Sequence, residues 1–412
     1  MTKKIDILGK FVSCLIVFFV LFQPVLFSFN ILHFLSVISM VCLVFLRKEL
    51  ANYVKKQYLG FLLLNVLFLI YIAFVAIFSG TIMFGLYGAF LYAVELQVCV
   101  FFAFVLCKKT KVQVQNAIII ASFVQALIAL AAIVIPQIQE AIINLYIKNG
   151  FPNTTSWFLG KRFFGLSSQL TFTMPVAQVI IAVFCIDCIC KKKNWFLCVM
   201  AIAAIVFSAM INARIAIVVL LVGGLYLLIT KRQCLKMPVY YYLIALCVVG
   251  GACVTIWLVS PTTFDWVFHG VKDIASLFTG ERIEGSYFSA LFSQFIFFPE
   301  DLKGLFLGKG INVFTGAVLE QRSDVGYIID LWYAGVLGCM LKYLPCVCSL
   351  GALGRKNYFA WFLLAVIAIV NIKGIAVENN ELMAFVSLFI LNASYDQGCI
   401  NEGQDICQSV NS

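Results

Sequence analysis

Charge is what this chain has least of. Acidic and basic residues make up 12% of its 412 positions, histidine occurs twice, and 63% of the residues are hydrophobic. A sphere of this size in water needs far more polar surface, so a soluble globule is excluded and a polytopic membrane protein is expected. No Gly-x-x-x-x-Gly-Lys-Ser/Thr loop is present, and Gly308 and Gly310 lack the third glycine of a dinucleotide fingerprint. An ATP-driven or nicotinamide-dependent process is therefore not expected. There are 16 cysteines, yet none lies in the two longest polar loops, so no disulfide framework is implied. Cys185, Cys188 and Cys190 end an apolar run and precede three lysines that would repel a cation, so no metal site is read there. No cleavage pattern of small residues follows the first apolar run, which reads as an uncleaved span behind Lys3, Lys4 and Lys10. There is no internal repeat and no low-complexity tract.

What the chain does have is about twelve apolar runs near the ~20 residues a helix needs to cross a bilayer. They fall at 11–29, 31–46, 58–79, 82–107, 116–135, 166–190, 195–211, 213–230, 239–260, 325–348, 358–372 and 382–394. The net charge of +10 comes from small basic clusters at the ends of these runs, which sets topology and argues against nucleic acid as a partner. With the N-terminus inside, 19 of the 29 lysines and arginines fall on the inner side, Lys342 counted among them. Both termini are then inside and the two long loops, 136–165 and 261–324, face outward. The expected layout is a single membrane domain, 1–412, with a flexible polar tail at 396–412.

The outward loop 261–324 is the one long polar segment, and it reads as a lid on the bundle. Within it, 287–298 places Tyr287, Phe288, Leu291, Phe292, Phe295 and Ile296 on one helical face, suited either to the membrane surface or to packing on the bundle. Arg214 sits at a tight outward turn between two spans, where a cation costs ~2.5 to 3.5 kcal/mol unless it finds a partner or a function. Snorkelling to the headgroups and binding an outer-leaflet anion are both open readings. Arg162 and Arg282 share its side, and guanidinium donors match phosphate oxygens in pairs. Glu281, Glu284, Glu320 and Asp324 are candidate proton acceptors, and Asp324 is alternatively a helix N-cap. His269 is the only histidine in either long loop, and Glu95, mid-span, must be protonated, paired or water-facing.

Taken in order, these residues resemble the bacterial O-antigen polymerases, which share a larger group with the O-antigen ligases. The signs are Arg162-Phe163-Phe164-Gly165-Leu166, Asn212-Ala213-Arg214, Thr279-Gly280-Glu281-Arg282, Leu307-Gly308-Lys309-Gly310, and Ser323-Asp324-Val325-Gly326-Tyr327-Ile328 opening a run that contains Gly335 and Gly338. The resemblance implies an all-α polytopic bundle of about twelve transmembrane helices in the bacterial inner membrane, with a large periplasmic loop carrying short amphipathic helices. It implies glycosyl transfer between undecaprenyl-diphosphate-linked repeat units, with undecaprenyl diphosphate leaving and no cofactor or metal required. Arg162, Arg214 and Arg282 would bind diphosphate or sugar, Tyr327 and His269 would contact substrate, and Asp324 or Glu281 would act as acid or base. Membrane lipids, a chain-length regulator and other O-antigen assembly proteins are the implied partners. His269 is followed by Gly270-Val271-Lys272, unlike the longer motif expected of a ligase, so polymerase is preferred over ligase and over a lipid-linked oligosaccharide flippase.

Overall fold

The structure is a computed structural model that describes residues 2–25, 31–46, 53–80, 84–148, 162–167, 172–189, 195–230, 294–314 and 321–410, with isolated positions between 250 and 268. The apolar run at 239–260 and the loop section 269–293 lie essentially outside the described residues. Among the described residues the elements are helices: α1 (Thr2–Phe22), α2 (Ile31–Phe45), α3 (Lys56–Ser79), α4 (Phe84–Phe90) and, after a π-turn at Leu91–Leu96, α5 (Gln97–Lys109). Then come α6 (Val114–Val134), α7 (Pro136–Lys148), α8 (Thr173–Ile189), α9 (Trp195–Met210) and α10 (Ile215–Thr230). The chain closes with α11 (Leu302–Leu307), α12 (Gly326–Gly354), α13 (Tyr358–Val370) and α14 (Glu381–Val410).

Among the described residues, four helical stretches are long and apolar enough to cross a membrane: Lys56–Ser79, Gly85–Lys109, Val114–Val134 and Gly326–Gly354. Others are as apolar but shorter, such as Ile215–Thr230, whose 16 residues rise about 24 Å against a hydrocarbon core of about 30 Å. The outer faces of α2 and α3 expose Phe34, Phe45, Leu63, Ile77 and Phe78, a surface suited to lipid. The molecule is a helical membrane protein. At its centre stands α14, buried at every position from 381 to 391. Phe385 and Phe389 pack there against Phe184 of α8 and Phe359 of α13. Gln97 bridges this centre to α3 by hydrogen bonds with Ser387 and Tyr58.

At one end of the bundle the lysine-bearing turns meet. Ser13 and Thr110 share a hydrogen bond of 2.7 Å, Lys108 pairs with Asp396 at 3.6 Å, and Tyr53 stacks on Tyr395. Glu95 finds its partner in the other histidine of the chain: His33 Nδ1 lies 2.7 Å from its carboxylate, and the Tyr87 hydroxyl lies 3.2 Å from His33 Nε2. Glu95 sits in the π-turn, where the register of one helical turn is changed.

Several expectations are corrected. The polar tail continues α14 as helix to Val410. The first outward loop begins as helix α7, whose proline at the first position needs no amide partner. Residues 294–298 form a turn and extended chain, so the amphipathic helix expected to reach 298 does not. Lys342 is not at an inner turn but buried against Asp330, with Nζ 2.5 Å from Oδ1.

That last contact follows from a break in α12 at Gly335, where φ is +67° and ψ −177°. Twelve residues of straight helix rise about 18 Å, too far for a lysine to reach an aspartate. The break folds 326–334 back toward 336–354, so that Asp330 meets Lys342 and Tyr343, and Tyr327 packs on Tyr343. The carbonyls it frees are taken up by a second segment: Lys309 N donates to Trp332 O and Gly310 N to Tyr333 O, both at 2.9 Å. The Tyr71 hydroxyl lies 2.9 Å from Ala334 O. Gly308-Lys309-Gly310 is therefore a backbone splint, and its lysine pairs with Asp301 over the Trp332 ring. Around it, Val313, Val325, Ile328, Ile329 and Trp332 form a small second core.

A methyl group at Gly308 would overlap the Tyr333 carbonyl and the Ala334 backbone, and one at Gly335 would overlap the Gly308 amide and Phe306 carbonyl. Both glycines also have positive φ. Gly308→Ala and Gly335→Ala should each cost roughly 1–3 kcal/mol, seen as a lower melting temperature in detergent. Gly60→Ala, which meets nothing within 4 Å, should not destabilise. Equal melting temperatures for all three would remove the splint.

Candidate functional site

At the end of the bundle opposite the lysine-bearing turns, the chain leaves helical geometry in three places: 162–167, 211–214 and 371–380. Backbone out of helix and out of water must find other partners. Side-chain amides supply them. Asn212, fully buried, accepts from Phe163 N at 2.7 Å and donates to Phe163 O at 2.9 Å and Ser208 O at 2.7 Å. Gln125 donates to Phe164 O at 2.6 Å and accepts from Leu166 N at 3.3 Å. Gln139 donates to Arg162 O at 3.1 Å, and Tyr146 donates to Ser167 O. Ser167 and Thr173 both donate to Glu381, whose carboxylate is buried at the first turn of α14. The Asn212 clasp thus fixes Phe163, next to Arg162, against the turn that carries Arg214.

The two arginines are close enough to repel. Burial first, and then the charge of Arg214, lowers the Arg162 guanidinium to about 10, so it stays charged at neutral pH. Arg322 and Lys373 join them around Asp324. Arg322 donates to Asp324 Oδ1 from Nη2 at 3.1 Å and from Nε at 3.3 Å, and Lys373 Nζ lies 3.9 Å from Oδ2. Burial pulls Lys373 down from 10.5 to about 8. Asp324 opposes this, while Arg162, Arg322 and Arg214 add to it. Among the described residues the cluster therefore sets four cations around one carboxylate. Such a pocket of preorganised donors fits a phosphate or diphosphate group.

Of the residues singled out by sequence, Arg162, Arg214 and Asp324 are brought together. Asp324 is not the N-cap of α12. That position is Val325, whose amide bonds to Ser323 Oγ at 3.1 Å, and both Asp324 oxygens face cations. Tyr327 is a turn further on, its hydroxyl donating to Ala368 O at 3.1 Å. Its ring packs on Tyr343, so it braces the site. His269, Glu281 and Arg282 lie outside the described residues. Sequence reasoning missed Arg322 and Lys373. The signal was there in Asn371-Ile372-Lys373-Gly374, a cation just past an apolar run with an amide beside it, much as Asn212 precedes Arg214.

Asn212→Leu should leave the Phe163 amide and carbonyl without their partner, at about 1–3 kcal/mol for each buried group. It should lower the melting temperature and weaken inorganic diphosphate binding together. Intact affinity in a folded Asn212→Leu protein would show that the clasp does not organise the arginines. A second expectation concerns pH. Lys373 has a folded pKa below its unfolded one, so while charged it costs stability, and that cost is relieved as pH rises from about 8 toward 10.5. Anion binding runs the other way: affinity for diphosphate should fall as pH rises through about 8 and Lys373 loses its proton. Lys373→Arg should remove that fall in a calorimetric titration. A fall that persists in the arginine variant would exclude Lys373.

Compared with known proteins, the chain matches no family model, no curated protein and no solved structure, so its function is read from the chemistry of this cluster.

Proposed function

We propose that the protein is an O-antigen polymerase: a glycosyltransferase of about twelve spans in the bacterial inner membrane, with both termini cytoplasmic. It joins undecaprenyl-diphosphate-linked repeat units at the periplasmic face, beneath the loop 261–324. The observation that carries this reading is the convergence of Arg162, Arg214, Arg322 and Lys373 about Asp324. Its position at the end away from the lysine-bearing turns speaks for the outer side, since short basic turns favour the cytoplasm.

In the reaction so read, an acceptor hydroxyl attacks the anomeric carbon of the growing glycan and the diphosphate departs. Charge develops on the leaving oxygen, and the cluster is positioned to bind it. Water competes with the acceptor at that carbon, and a loop over the site would limit that competition; the segment 294–314 packs on the start of α12, next to Asp324.

Deleting the gene in its host should replace the lipopolysaccharide ladder by a single band of core plus one repeat unit. Complete loss of O-units would point instead to a ligase or flippase, and an unchanged ladder would overturn the reading. Arg214→Lys, which keeps the charge and loses the paired donors, should reduce polymerisation about tenfold or more at unchanged protein level. Full chain length in that variant would remove Arg214 from the site.

A further inference from the structure

Beside the cationic cluster lies a cavity of about 290 Å³, framed by α3, α4, α12 and the loop 371–380. It is near the lower size of small-ligand pockets, ~300 Å³. Aromatic and small residues make one side: Phe68, Tyr87, Tyr92 and the backbone at Gly88, where nothing stands within 4 Å of the α-carbon's open face. The other side is polar, with Asp330, Lys342 and Glu378. Cavity and cluster share a wall. Asn371 donates to the Tyr343 hydroxyl at 2.5 Å, Tyr343 donates to Asp330, and Asn371 O accepts from Gly326 N, two residues beyond Asp324. A single loop therefore presents Lys373 to the cluster and Glu378 to the cavity.

The carboxylates here divide by occupation. Asp324 has a cation on each oxygen, and Asp330 has Lys342 on one and Tyr343 on the other. Each oxygen of both carboxylates is therefore already engaged by a neighbouring side chain. Glu378 lines the cavity with Asn380 as a hydrogen-bond partner and with Lys342 near enough to act on its charge, and among the described residues it has no ion pair within 4 Å. Facing it are Asp330, Lys342 and Tyr333 from α12, with Tyr87 and Tyr92 across the space.

We propose that Glu378 is the general base of the transfer, and that this cavity receives the acceptor sugar, its apolar ring face on the tyrosines and its attacking hydroxyl toward Glu378. The inference rests on the polymerase reading above. In the step, the acceptor oxygen bonds to the anomeric carbon as the bond from that carbon to the diphosphate oxygen breaks. The electron pair leaves with the diphosphate onto the cationic cluster, and the hydroxyl proton passes to Glu378. Burial, opposed by Lys342 and helped by Asp330, pushes the Glu378 carboxyl up to about 7, close to where a base works best at neutral pH.

The test uses full-length protein in vesicles with lipid-linked repeat units isolated from the deletion host. Wild-type rate should rise through a limb near pH 7. Glu378→Gln should lower the rate at saturating acceptor by ~100-fold or more and lose that limb, and Glu378→Asp should restore part of both. Immunoblots should show equal protein, and diphosphate binding should be unchanged in the glutamine variant. A full rate, or the wild-type pH limb, in folded Glu378→Gln would overturn the base and leave the polymerase reading standing. Wild-type protein that makes no polymer while the gene deletion leaves the ladder intact would overturn both.

Discussion

The constraint on which the rest of this structure depends is that backbone leaving helical geometry inside a bilayer must still bond every amide and carbonyl. At Gly335 the chain breaks a helix of 29 residues and meets that constraint with a splint, the Gly308 to Gly310 backbone, and a hydroxyl from Tyr71. Both glycines are needed, because the two backbones approach closer than any β-carbon allows. The pairing of Asp330 with Lys342 and Tyr343 follows from that fold. Without it Asp330 and Lys342 would stand about 18 Å apart along one helix, each an uncompensated charge in hydrocarbon.

The same constraint governs the cationic end. Four cations near one another repel, and Asp324, paired with Arg322 and Lys373, offsets only part of that repulsion. They are held by buried amides that have no choice of partner: Asn212 on Phe163, Gln125 on Phe164 and Leu166, Asn371 on Gly326 and Ala376. Glu381 then ties this backbone to the central helix through Ser167 and Thr173, at a helix start where its negative charge is favoured. The stability of the bundle, stored in the aromatic packing around α14, is in this way set against the repulsion in the cluster. A bound anion would relieve that repulsion, which is the physical sense in which the site is built for one.

The cluster and the cavity are coupled through short, stiff links. Tyr327 and Tyr343 pack against each other across the break, Asn371 donates to Tyr343, and the loop 371–380 carries both Lys373 and Glu378. A leaving group and a proton acceptor in a transfer reaction need fixed separation, since a small misplacement of either slows the step. The loop 371–380, which carries Lys373 and Glu378, is tied to α12 through Asn371, bonded to Tyr343 and Gly326.

By itself the sequence determined that this is a helical membrane protein, because hydrophobic content and run length follow from composition. It also determined where most helices lie. The runs at 58–79, 116–135 and 358–372 each match a helix within two residues at either end, since a single apolar run is enough to define a helix in lipid. The nearness of Arg162 to Arg214 was legible too, as cations at the ends of apolar runs expected on a common side. Only the tertiary structure decided the partners of the buried charges. Glu95 with His33 and Asp330 with Lys342 are contacts between turns that periodicity treats as unrelated, and the second depends on one glycine adopting a positive φ. The surroundings of Lys373 and Glu378 were hidden for the same reason: neighbours in space are not neighbours in sequence.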